Sequence, residues 1–312
     1  MKATSLNGFL VRDQQNWHQC LENSNDALRC SWHGHWVGLP LVVAECVRFL
    51  GLNDQHLSKP AANMLKAAEQ VAQEIEIIFA HDGIKTEPCY HNRLHFADAI
   101  TTMSVQVAIQ SHLQNESNPE WSACALLTCI AHDLGHSGRV NNFESELEMI
   151  SVALLRPMLD ECDVTGKWRE WVEQSIIQSD FSIVHKNHTA VKDVPFEWDF
   201  KWLNVFLNEA DVMASASTKF GTSMGEALAR EWKKIGFVAY KTVATPAGRK
   251  GFLKNIKFSS PASQVLGIQA AIANEISVRL SDILDDYRFV GLNQFNSIQS
   301  FLDRKAQNIG KR

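Results

Sequence analysis

The chain has 312 residues, 45 % of them hydrophobic and 21 % charged, which is the make-up of a folded protein able to bury a sizeable core without staples. Thirty basic against 35 acidic residues leave a net charge of −5, which argues against a general nucleic-acid binder. The longest apolar stretches, Trp36–Ala44 and Ala123–Ala131, fall well short of the ~20 residues of a spanning helix, so no membrane segment is expected.

Taken in chain order, the sequence reads as helical almost throughout. Residues 1–59 carry several Trp and His, show no clear period before Pro40, and are expected to form a helical cap packed on a main domain of residues 60–312. Met1–Leu10 has one lysine and no sustained apolar core, so it does not read as a secretory signal. Pro60–Ala80 is predicted as a helix, with Leu65, Ala68, Val71, Ala72, Ile75, Ile78 and Phe79 along one face. Helices follow at His91 to about Leu113, at Pro119–His132 (apolar and therefore buried), at Asn142–Leu159 and at Trp168–Ser179. Phe196, Trp198, Phe200 and Trp202 alternate with polar residues, but Trp198 and Trp202 also stand at i and i+4. The predicted element is a helix, Glu197–Lys219, with aromatics on two faces. These aromatics, and Trp168 with Trp171, read as core. Ser223–Ile235, Ala262–Tyr287 and Leu292–Ala306 complete the set. Val238–Phe258, with basic residues among turn formers, is expected to be a mobile loop. The fold class is all-α. Seven scattered cysteines without a CxxC pair read as small buried hydrophobes in a reducing compartment, and the cytoplasm is the default location.

Four short stretches concentrate metal-binding side chains. His91 and His95, in Tyr90-His91-Asn92-Arg93-Leu94-His95, are one turn apart if helical. His132-Asp133 ends an apolar helix, with His136 beyond it; Glu144 follows the next loop; Asp211 interrupts an apolar run. A lone histidine on a helix is more often a hydrogen-bonded residue than a ligand, and one HD dipeptide is close to noise. A carboxylate in an apolar run is more informative, because burying it demands a cation or donors.

In the order His, His-Asp, Asp, these residues resemble the ligand set of the HD metal-dependent phosphohydrolase superfamily. YHNRLHFAD and HDLGHSGRVNN further resemble the two signature segments of the class I 3′,5′-cyclic nucleotide phosphodiesterases. Ser179-Asp180, Glu209-Ala210-Asp211 and Ser263-Gln264-Val265 resemble three later elements of that family, in the same order. The resemblance implies a compact multi-helix domain that opens cAMP or cGMP to the 5′-monophosphate. It implies His95, His132, Asp133 and Asp211 as ligands of a tighter metal, zinc. Asp133 would bridge to a second metal, magnesium or manganese, whose water shell involves His136, Glu144 (with Glu146 and Glu148 as alternatives) and Ser179. His91 would be the general acid, with Glu231 the candidate residue behind it. Tyr90 and Gln264 would contact substrate. Two such cations can share a bridging hydroxide and neutralise phosphoryl charge, while a histidine protonates the departing ribose oxygen. The partner implied is a small cyclic nucleotide, and a homodimer is compatible with it.

The sequence departs from the family pattern in three places. Glu144 follows Asn142 almost at once, where in the family some dozen residues precede the glutamate. Ala214 stands where the family has asparagine, and Gly267 where it has a phenylalanine that clamps the base. Phe252 or Phe258 would then supply the clamp. The alternative reading is another HD-superfamily hydrolase acting on a nucleotide or related phosphoester. A third is a metal-stabilised scaffold without turnover. A cyclic dinucleotide is disfavoured, because the HD enzymes known for it carry a Gly-Tyr-Pro element absent here.

Overall fold

The structure, a computed structural model, describes residues 8–32, 34–53, 56–80 and 87–277. Its regular elements are α1 (Trp17–Trp32), α2 (Leu39–Leu50), α3 (Lys59–Ala80), α4 (Arg93–Gln114), α5 (Pro119–Ala131), α6 (Glu146–Glu161), α7 (Gly166–Ile177), α8 (Val184–Ala190), α9 (Phe200–Ala216), α10 (Gly221–Lys234), α11 (Pro246–Asn255) and α12 (Pro261–Val265), with a 3-10 turn at Val238–Lys241. Helical backbone continues over 268–277, and no strand occurs among the described residues. The all-α class read from the sequence is the class observed.

The centre of the molecule is α4, buried on every side from His95 to Gln110. It packs against α1, α2, α5, α9 and α12, and touches α3. Beside it α5, buried from Trp121 to Ala131, packs against α3, α7 and α9. Helices enclosed like this have no polar stripe. Their apolar density, rather than periodicity, marks them in the sequence. α1 and α2 share the same core as the later helices through Trp17, Leu28, Val42 and Phe49.

Several predicted boundaries move, each for a local reason. α4 begins at Arg93 because the Asn92 side chain accepts from the N–H groups of Leu94 (3.0 Å) and His95 (3.2 Å), the role of an N-cap. His91 therefore precedes the helix rather than lying on it. α6 begins at Glu146, not Asn142, because Ser145 is left-handed (φ 60°). α9 begins at Phe200, capped by Asp199, which accepts from the N–H of Trp202 at 3.0 Å. Phe196 and Trp198 precede it and pack edge-on against Trp121, so they belong to the core. α8 has no counterpart in the sequence reading. The predicted helix Ala262–Tyr287 is broken at Gly267 (φ 69°). Its part beyond 277, and Leu292–Ala306, lie outside the described residues.

The expected loop Val238–Phe258 is instead mostly ordered secondary structure, and its key residue is basic. Arg249 on α11 is buried. It donates to the carbonyls of Ala216 (3.2 Å), Ser217 (3.0 Å) and Ser215 at the end of α9, and to the Glu275 carboxylate at 3.0 and 2.9 Å. A guanidinium that fills the orphan carbonyls of a helix C-terminus is a fixed structural part. All seven cysteines are free and five are buried. No described helix is long and apolar enough to cross a membrane.

Candidate active site

Three central helices meet at one place. His95 lies in the first turn of α4, His132 caps the end of α5 with Asp133 beside it, and Asp211 lies on α9. His95 Nε2 is 3.3 Å from Asp133 Oδ2 and 3.1 Å from Asp211 Oδ1; His132 Nε2 is 3.2 and 3.5 Å from the same two oxygens. All four ligand atoms lie within 4.8 Å of one another.

Whether these residues suit a divalent cation can be tested on the imidazoles. His132 Nδ1 is 2.7 Å from the Cys129 carbonyl, a contact that requires the proton on Nδ1. Its Nε2, and both ring nitrogens of His95, are buried without a hydrogen-bond partner among the described residues. Burial disfavours charge on His95, yet the Asp133 and Asp211 carboxylates outweigh it and lift its pKa to about 9. Burial likewise works to raise Asp211 and Asp133, and the two histidines outweigh it and hold both well below the usual carboxylate range. Partly buried carboxylates aimed at buried, unpartnered imidazole nitrogens call for positive charge between them. Two nitrogens and two oxygens are a donor set that zinc accepts.

A second cluster adjoins the first. Glu231 on α10 accepts from the backbone N–H of Tyr90 (2.7 Å) and of His91 (3.1 Å), and its other oxygen is 2.5 Å from His91 Nδ1. Burial acts to raise the Glu231 pKa; the His91 contact and the two backbone donors outweigh it and keep it lowered. The His91 and His136 rings stack at 3.7 Å. Gly138 N–H donates to His136 Nδ1 at 3.1 Å, so the His136 proton sits on Nε2. Burial and the adjacent His91 push the His136 pKa down to about 3, and that ring is neutral. Gly138 is required here: its φ is 79°, and a Cβ would stand 2.9 Å from Glu231 Cγ. Tyr90 closes the floor, with its ring 5.0 Å from that of His95 and its hydroxyl 2.8 Å from Ser215 Oγ.

The loop after this cluster places the glutamates differently from the sequence expectation. Glu144 is exposed and pairs with Lys186 at 3.7 Å, because the left-handed Ser145 turns α6 away from it. Glu146 pairs with Arg139 at 2.8 Å. Glu148 points inward, held by Asn141 Nδ2 at 3.0 Å. Burial, with the Asp180 and Asp133 charges adding, raises its pKa to about 7. The glutamate brought towards Asp133 is therefore Glu148, not Glu144. Ser179 is buried beside this group, but its hydroxyl turns back to the Ile176 carbonyl (2.8 Å). Its neighbour Asp180 does more, accepting from Ser145 N–H (2.6 Å) and Asn141 Nδ2 (3.3 Å).

Gln264 is exposed on α12, next to buried Ser263. Neither substitute for the missing clamp is free to act as one: Phe258 is buried in the main core and Phe252 packs against it. The sequence reading also missed Arg93. It is bonded to Glu87 (2.9 Å from Nε) and to Glu76, and Glu76 in turn accepts from Trp36 Nε1 and Leu39 N–H at 2.8 Å. This buried network fixes the entry into α4, and thus where His91 and His95 point. Glu87 is six positions from Arg93, but Glu76 is 17 away and Trp36 a further 40, so no local pattern announces the network.

Comparison with known proteins agrees with the geometry. Residues 90–154, which run from Tyr90 to the middle of α6, match the 3′5′-cyclic nucleotide phosphodiesterase family. The match covers the segment that holds His91, His95, His132, Asp133 and His136. Among solved structures, the Leishmania phosphodiesterase LmjPDEB1 in complex with IBMX is similar to it, with a TM-score of 0.53 and 14 % identity over 78 % of this chain and 87 % of that one. At that identity the likeness is one of fold. No curated protein sequence matches the chain.

Proposed function

We propose that the domain hydrolyses a 3′,5′-cyclic nucleotide, cAMP or cGMP, to the 5′-monophosphate. The observation that carries this is the pairing of two clusters: a His95–His132–Asp133–Asp211 set whose buried imidazoles have orphaned nitrogens, and a histidine held by Glu231 directly beside it. His95, His132, Asp133 and Asp211 would hold zinc. Asp133, with His136 and Glu148 through water, would hold magnesium or manganese. Divalent cations there supply positive charge for the phosphoryl oxygens and lower the pKa of water, which makes a nucleophile near neutral pH.

The chain's own groups do the rest. His91 Nδ1 is committed to Glu231, so its proton for the ribose 3′ oxygen is carried on Nε2. Glu231 orients the ring through its one bond to Nδ1 and fixes the backbone beneath it through its bonds to the N–H groups of Tyr90 and His91. Neutral His136 offers an Nε2–H to solvent or a phosphoryl oxygen. Tyr90 walls the pocket, and Gln264 contacts the base edge. We place the catalytic domain at 60–312, with 1–59 as its helical cap, and the protein in the cytoplasm, which suits its free cysteines.

A second reading, hydrolysis of another nucleotide or phosphoester by the same centre, is favoured by one observation: Gly267 replaces the clamp and neither nearby phenylalanine is available. The deciding experiment is hydrolysis of cAMP and cGMP by purified protein with zinc and manganese or magnesium, separating 5′- from 3′-monophosphate, with Asp133→Ala as blank. A 5′ product that vanishes in the blank supports the first reading. No turnover of either nucleotide with metals bound supports the second.

A further inference from the structure

Glu209 stands on α9 two residues before Asp211, about 200° around the helix from it. It is fully buried and faces the junction of α9 with α4 and α12. One oxygen accepts from the N–H of Ser260 (2.8 Å) and of Ser259. The other accepts from Ser260 Oγ (2.5 Å), Ser263 Oγ (2.5 Å) and Gln106 Nε2 (3.0 Å). Every hydrogen bond to it among the described residues comes from a neutral donor. Four of the five donors belong to Ser259–Ser263, the turn that leads into Gln264. Gln106, on the helix that carries His95, also reaches Ser263 Oγ at 3.1 Å. Ser260 Oγ in turn caps α12 by accepting from Ser263 N–H at 3.0 Å.

The arrangement is more than a way to tolerate a buried charge. Hydrogen bonds to an ionised acceptor are roughly twice as strong as neutral ones and directional. Two of these come from backbone N–H groups that cannot rotate away. Gln264 and Val265 are exposed, Leu266 beyond them is buried in the core, and the helical turn ends at Gly267 with φ 69°. We propose that Glu209 is a positioning residue: its carboxylate locks Ser259–Ser263 to α9 and α4, and so fixes Gln264 relative to the metal ligand Asp211. The inference rests on the reading of Gln264 as the base contact. It explains why one helix turn carries both carboxylates: one end of the substrate is registered against the other through Glu209.

The test compares Glu209→Gln and Ser263→Ala with wild type. A glutamine keeps the shape but turns one acceptor into an NH2 group facing donors. Three readouts are taken: bound metal, kinetics on cyclic nucleotide and on bis(4-nitrophenyl) phosphate (a diester without a base), and amide exchange at 258–266 against 205–215. Glu209→Gln should retain metal, raise the cyclic-nucleotide KM at least ten-fold, and lose at least ten-fold more kcat/KM on the nucleotide than on the base-free diester. Exchange should speed up ten-fold or more at 258–266 and less at 205–215. Ser263→Ala should show the same pattern, smaller, and it decides the matter if Glu209→Gln does not fold. Equal losses on both substrates with metal release, or unchanged KM and exchange, would overturn the proposal. If wild type cleaves no cyclic nucleotide, the functional reading fails. The exchange pattern then decides alone: acceleration confined to 258–266 sustains Glu209 as a lock, and uniform or absent acceleration removes it.

Discussion

Two carboxylates sit two residues apart on α9, and the surroundings of each answer the same electrostatic problem differently. Asp211 points at the Nε2 atoms of His95 and His132, neither of which has a hydrogen-bond partner among the described residues. Glu209, on the far side of the helix, is filled by five neutral donors. A buried charge is tolerated when a counter-charge or a full set of donors replaces water. Asp211 leaves room for a cation, whereas Glu209 leaves none. The orphaned partner, more than the acid itself, marks a candidate metal ligand.

The largest effect should come from exchanging the solution at the metal end. Asp211→Asn removes the charge that opposes the histidines, so turnover should fall to background with loss of bound metal. Its melting temperature should match that of chelator-treated wild type, because a ligand that binds only the folded state stabilises by mass action. Metal retained in full by Asp211→Asn would break the distinction between the two acids. His91→Ala comes next. Turnover should drop by about 10²–10⁴-fold, the usual contribution of a positioned acid, while metal content stays at the wild-type value. Undiminished activity would remove His91 from the reaction. Gly138→Ala should be milder. Its φ of 79° and a Cβ 2.9 Å from Glu231 Cγ would cost about 1–2 kcal/mol in backbone strain. The same Cβ should displace Glu231 from His91, so that kcat falls more than metal binding does. A stable, fully active Gly138→Ala protein would show that the Glu231 bond is dispensable.

Much of the metal end was legible because its residues come in tight local patterns. His132-Asp133 and the following Gly135, His136 and Gly138 are contiguous, and each glycine marks a positive φ that the turn demands. No local pattern supports Glu231, whose contact with His91 crosses 140 positions. Glu148 was only one of three choices, since a single left-handed residue, Ser145, decides which glutamate turns inward. The serine end was hardly legible. Ser-Gln-Val stands out in the sequence, but Glu209 reads only as part of the Asp211 motif. Its donors lie 50 to 103 positions away, and neutral donors leave no compositional trace. Arg249 shows the same limit: surrounded by turn formers, it reads as a solvated loop charge, yet it closes the end of α9.

The smallest expected effect lies at the serine end and is a matter of pH. His188 on α8 is buried, with Nδ1 2.9 Å from Ser259 Oγ; burial, then the Lys257 charge, pushes its pKa down to about 4. The unfolded chain binds this proton near the ordinary value of about 6.5. Folding therefore favours the neutral ring. The stability it contributes is fully present above about pH 6.5 and is lost as pH falls towards 4, with a slope of at most about 1.4 kcal/mol per pH unit. The melting temperature of wild type should decline across that window, and that of His188→Gln, which can still bond Ser259 but cannot take up the proton, should decline less. Parallel declines would mean that other groups set the slope. Because the Ser259 N–H is also held by Glu209, protonation of His188 should speed exchange near Ser259. At the metal end His132 and His95 must lose protons for a cation to bind, so metal release on acidification should follow a separate curve. If the two curves coincide, the ends of α9 are coupled and the contrast between its two acids is one of degree.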